Sequence, residues 1–189
     1  MPIAIPASRP RLRKLYDTLP PEARGFFGEV PGLLDADLSL DIVLAYVFFR
    51  VEQGQHLTLY CGARKLHKTE STLTWQALDD HHMTRDEFRS LFKTIYGFPI
   101  HKDTLDCIAR AETIRDRVMH GKRVTEADKR EAIARVLQYA SLMNQQVSVT
   151  EAAGFKPFSK DLRGFAGRLP HLDKATTRWI LKGMGFSVG

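Results

Sequence analysis

The chain has 189 residues, 43% hydrophobic and 26% charged, the make-up of a globular domain, alone or with an appendage. At that length about 70% of the unfolded surface can be buried, so a core needs neither disulfide nor metal. The longest apolar run, Ile42 to Phe49, is far shorter than the roughly 20 residues of a membrane span, and Ile3-Ala4-Ile5-Pro6-Ala7 is no secretory core, so the expectation is a cytoplasmic protein.

The net charge of +6 is uneven. Residues 155–189 hold seven of the 28 Lys/Arg but two of the 22 Asp/Glu, a net of +5. A nearly neutral body with a basic appendage points to an acidic partner, most commonly nucleic acid.

Pro2, Pro6 and Pro10 predict an extended start, followed by a short helix over 11–19. Pro20-Pro21, Gly25, Gly28 and Pro31-Gly32 then punctuate a connector that cannot hold a long element. Leu38 to Val51 is apolar on all sides, which suits a helix inside a bundle or a buried strand. Length decides for helix, because the pattern continues past Gly54 through Leu57, Tyr60 and Leu66. Thr84 and Glu87 form a capping box that opens a helix to Tyr96, closed by Gly97-Phe98-Pro99.

The next helix starts at Asp103 or Thr104, carries Cys107, Ala111, Ile114 and Val118 on one face, and ends at Gly121. Thr125 with Asp128 opens another, whose stripe of Ile133, Val136, Leu137, Ala140, Met143 and Val147 runs on to Val149. The prediction is an all-α protein: an N-terminal extension and connector over 1–36, an antiparallel four-helix bundle over 37–154, and a small basic helical module over 155–189. The module is broken by Pro157, Gly164, Gly167 and Pro170, has one helix over 174–184, and is docked on the bundle or flexibly attached.

Two Arg-x4–6-His spacings occur, Arg50/His56 and Arg115/His120, about the two that chance supplies, so spacing does not choose between them. Context does. Arg50 is followed by valine inside a continuous buried helix. Arg115 is followed by the polar Asp116, then by a helix end at His120-Gly121 and a capped helix. The stretch from Asp103 to Val149 resembles the HEPN family in its Arg-polar-x3-His motif; Asp37 to Tyr96 matches only in helix count, and the two ends of the chain lie outside the resemblance. Many members have asparagine after the arginine, where this chain has Asp116, whose charge could pair with Arg117 instead.

The resemblance implies metal-independent cleavage of RNA through its own 2′-hydroxyl, of toxin or defence type, with Arg115, Asp116 and His120 as the catalytic set and no cofactor. It also implies a homodimer with facing motifs and, as partner protein, an antitoxin or a nucleotidyltransferase. The chemistry is coherent: histidine titrates near neutrality and can move protons, and arginine grips two phosphate oxygens as negative charge builds up. On an ideal helix Arg115 and His120 point about 140° apart, so they converge only if the helix ends before His120 or if two chains contribute. The alternatives are a catalytically silent HEPN-like module that binds RNA or a partner, and a structural adaptor. In both, Arg115 pairs with Glu112 or Asp116 and His120 has no chemical role.

Lys122, Arg123, Lys156, Lys160, Arg163, Arg168, Lys174 and Arg178 are the candidate nucleic-acid contacts. In the tail they interleave with Phe155, Phe158, Phe165 and Trp179, as a single-stranded nucleic-acid surface requires. Anchoring the tail to the bundle is the competing role, and the expected one for Phe158 and Trp179. His81-His82 beside Asp79-Asp80 lacks a metal-binding spacing and reads as a solvated loop. Gly121-Lys122 and Gly183-x-Gly185 are not phosphate-binding fingerprints. Cys61 and Cys107 read as buried apolar residues in a reducing compartment.

Overall fold

The computed structural model describes residues 4–149, 155–160 and 170–188. Among these the regular elements are helices, with no strand: α1 (Arg9–Asp17), α2 (Pro21–Phe26), α3 (Val30–Asp35), α4 (Leu40–Leu66), α5 (Ser71–Asp79), α6 (Arg85–Tyr96), α7 (Lys102–Met119), α8 (Glu126–Ser148) and α9 (Lys174–Met184). No described helix is long and apolar enough to cross a membrane.

Helix α1 starts two residues earlier than the prolines predict. Pro10 lies in its first turn, where a missing N–H is harmless. The punctuated connector holds two helices of six residues, α2 and α3, so it is helical but has no long element. Helix α5 has no strong sequence signal. Its N-terminus is capped by Glu70, whose carboxylate accepts from the N–H groups of Thr72 and Leu73 in place of a Ser, Thr, Asp or Asn cap.

The chain divides into two compact units. The first takes its described residues from 1–53, 101–145 and 158–161. Its core joins Val43, Leu44 and Val47 of α4, Ala111 and Ile114 of α7, and Ile133, Leu137 and Ala140 of α8, each at most 1% exposed. Ion pairs fix the helices around that core. Lys129 Nζ lies 2.7 Å from Asp41 Oδ2, joining α8 to α4, and Glu131 joins α8 to α7 through Arg110 at 3.4 Å. Phe158 is fully buried here, edge-on to Phe26 and Tyr139. Asn144 clamps its backbone, donating to the Phe158 carbonyl at 2.9 Å and accepting from the Phe158 N–H at 2.8 Å.

The second unit takes its described residues from 54–100, 146–157 and 162–189. Here α9 packs on α5 and α6, burying Thr177, Leu181 and Met184. Gly62 is required by close approach, because a Cβ there would stand 2.6 Å from Ile95 Cγ2 and 2.8 Å from the Tyr96 ring. Phe155 is buried as well.

The expectation for Trp179 needs correcting. Trp179 is not an anchor: it is 77% exposed, because the buried positions of α9 fall on the opposite side of the helix. The tail also contributes to the core, since Phe155, Phe158, Leu181 and Phe186 are all buried. Phe165, Arg163 and Arg168 lie outside the described residues.

Candidate functional site at the end of helix α7

Helix α7 stops in a defined way. The Lys122 N–H reaches back to the Arg117 carbonyl at 2.9 Å and the Gly121 N–H to the Val118 carbonyl at 3.0 Å, a Schellman closure. That closure needs a left-handed residue, and Gly121 supplies it at φ +65°. Arg117 Nη2 donates to the Arg123 carbonyl at 2.8 Å, tying the turn to the helix that leads into it. Thr125 and Asp128 then restart the chain as α8. The Thr125 hydroxyl accepts from the Asp128 N–H at 3.1 Å, while Asp128 Oδ2 accepts from the Thr125 N–H at 3.3 Å. The turn that carries the candidate histidine is therefore held at both ends.

Arg115 is half-buried. Its guanidinium lies 5.1 Å from the centre of the Phe48 ring, 3.6 Å from Glu52 and 3.9 Å from Asp116. Asp116 thus sits beside Arg115, while Arg117 is engaged by the turn. Sequence reasoning misses Phe48, Glu52 and the role of Arg117. Glu52 is distant in sequence, and no local spacing marks it as the partner of Arg115.

His120 is the C-cap of α7 and is exposed. Helix α7 ends at Met119, yet the His120 N–H still donates to the Asp116 carbonyl at 3.0 Å. Its Cα therefore follows the helical path, and its side chain still leaves the axis about 140° from that of Arg115. Ending the helix does not by itself turn the two side chains toward each other.

Lys122 and Arg123 are exposed in the turn beside His120. Lys160, Lys174 and Arg178 are also exposed, and Lys156 is partly so. Arg50 has a structural role: its Nε donates to the Phe26 carbonyl at 2.9 Å, and its guanidinium stacks 4.0 Å from the centre of the Phe26 ring. His81 packs edge-on to Phe186, and its buried Nε2 has no hydrogen-bond partner among the described residues. No three His, Cys, Asp or Glu side chains among the described residues come together as a metal site. Burial pushes the Cys61 and Cys107 thiols upward, away from the thiolate a nucleophile needs.

No protein-family model, curated protein or solved structure matches this chain.

Proposed function

We propose that the chain is an endoribonuclease on an HEPN-like antiparallel four-helix bundle, with Arg115 and His120 carrying the chemistry. The observation that carries this reading is the end of α7. It holds an accessible imidazole in a turn fixed by Gly121, Arg117 and the Thr125–Asp128 cap, with Arg115 five residues back and two exposed basic residues, Lys122 and Arg123, shortly after it.

In this mechanism one imidazole takes the proton of an RNA 2′-hydroxyl, and the oxygen attacks the adjacent phosphorus. The bond to the 5′-oxygen breaks, and that oxygen leaves with a proton from an imidazolium. Arg115 grips the non-bridging oxygens as their charge grows, and Asp116 holds the guanidinium in place.

Divergence of Arg115 and His120 on one chain favours a homodimer whose protomers face each other across the site. An exposed apolar row that leads up to Glu52 supports the same reading. Leu38, Ile42, Ala45 and Phe49 recur at steps of four, three and four before Glu52, and all are exposed, Ile42 at 48% and Phe49 at 56%. Met119, beside His120, is 71% exposed. An antitoxin or nucleotidyltransferase partner and a toxin or defence role belong to this reading through its resemblance to the family.

The second reading is a catalytically silent module that binds RNA or a partner. The pairing of Arg115 with Glu52 and Asp116 favours it, because a guanidinium occupied by carboxylates is not presented to phosphate. Analysis of the products separates the two. Incubation of purified protein with RNA in EDTA should yield fragments ending in 2′,3′-cyclic phosphate and 5′-hydroxyl. Intact RNA, or 5′-phosphate ends, would reject the 2′-hydroxyl mechanism.

A further inference from the structure

Helix α9 has two contrasting sides. Thr177, Leu181 and Met184 are buried, while Lys174, Arg178 and Lys182 are exposed at steps of four, a basic row about 12 Å long. Next to that row stands Trp179, 77% exposed. A tryptophan left in water forgoes the burial that normally stabilises its large apolar ring, and nothing in the packing of α9 requires an indole at this position. Asp173, at the start of the helix, accepts from the N–H groups of Ala175 and Thr176 and from the Thr176 hydroxyl, so its carboxylate caps α9. Glu70 caps α5 and also feels the charge of Lys174, so the row stands beside one carboxylate at its first residue.

We infer that the exposed side of α9 binds single-stranded nucleic acid, with Trp179 stacking on a base and Lys174, Arg178 and Lys182 following the backbone phosphates. Charge complementarity selects a polyanion. The exposed aromatic ring beside the cationic row selects one that carries flat bases, since every base offers a π-face to stack on and phosphates recur along the strand. A membrane surface would call for a broad apolar face beside the cations, and here that face of α9 is turned into the second unit. The inference does not depend on the cleavage reading, because binding at α9 involves neither Arg115 nor His120.

The test uses a single-stranded oligodeoxythymidine, which has no 2′-hydroxyl and so stays intact whatever the fate of the nuclease assignment. In the full chain carrying Trp75→Phe, Trp179 is the one remaining indole. Its emission should be quenched on titration with the oligonucleotide, and affinity should fall with salt at a slope of about −2, or roughly −0.7 for each of three contacts. Trp179→Ala, read by anisotropy of a labelled oligonucleotide, should weaken binding about tenfold or more. Lys174→Gln, Arg178→Gln and Lys182→Gln together should flatten the slope. The substituted side chains are exposed, and unchanged circular dichroism verifies the fold. Absence of quenching, a salt slope unchanged in the triple variant, or quenching by acidic vesicles or polyglutamate but not by the oligonucleotide would each overturn the inference.

Discussion

Arg115 faces Glu52, with Nη1 3.6 Å from Oε1, and side-chain exposures of 34% and 59% place the pair at the water boundary. A pair of that kind contributes about 0–1 kcal/mol, so a phosphate can displace the carboxylate at little cost. If Arg115 grips RNA, Glu52 competes with the substrate. Glu52→Gln should therefore raise kcat/KM for RNA cleavage by up to about fivefold, the rate equivalent of that energy, with little change in thermal stability. A fall in kcat/KM would mean that Glu52 positions the guanidinium.

The divergence of Arg115 and His120 on α7 predicts complementation. Arg115→Ala and His120→Ala protomers, each inactive alone, should regain cleavage when mixed and allowed to exchange subunits. The mixed dimer then holds one site with an intact arginine from one chain and an intact histidine from the other. Mixtures as inactive as their components would place the working pair within a single chain. A charge at the exposed apolar row of α4, such as Phe49→Glu, should shift light scattering toward monomer.

Asn144 makes two hydrogen bonds to the backbone of Phe158, and both groups lie in the core. Asn144→Ala leaves a buried N–H and a buried carbonyl without partners, at about 1–3 kcal/mol each. Urea unfolding should show a loss of about 2–6 kcal/mol. Truncation before Phe155 should be worse, since it also strips the aromatic partner of Phe26 and Tyr139. A truncated chain that unfolds at the same urea midpoint as the full chain would show that the tail adds nothing to the core.

Much of the helical layout was legible in the sequence because it is local. The Thr84–Glu87 and Thr125–Asp128 boxes, the glycine after α7 and the stripes of α7 and α8 are signals within one or two turns, and the helices form where those signals stand. Helix α5 was not legible, since its cap is a glutamate. Composition alone suggests a core role for Trp179, whereas on α9 its angular position relative to Leu181 turns it outward. The surroundings of Arg115 could not be read at all, because Phe48 and Glu52 reach it only through the packing of α4 on α7.

Two carboxylates that brace the site should give it an acid-side instability. The Thr125 hydroxyl holds the Asp128 carboxyl below its ordinary range, and the hydrogen bond from Lys129 does the same for Asp41. A depressed folded value means that each contribution is fully present above the unfolded carboxylate value of about 4 and is lost as pH falls through the folded one. Asp128→Ala should cost about 1 kcal/mol at neutral pH, as a lost helix cap does. That difference should shrink on acidification below pH of about 4. A difference that persists unchanged in acid would show that the ionised carboxylate is not what stabilises the cap.

Whether Arg115 and His120 cut RNA is decided by the single-turnover rate of RNA cleavage in EDTA for the wild-type chain, Arg115→Ala and His120→Ala, each checked for helical content. Removing a proton carrier costs about 10²–10⁴ in rate, and removing a charge stabiliser about 10²–10³. Loss of at least two orders of magnitude in both variants, with the fold retained, is the predicted result. Cleavage by His120→Ala at the wild-type rate, or no cleavage by the wild-type chain on any RNA tried, would contradict it.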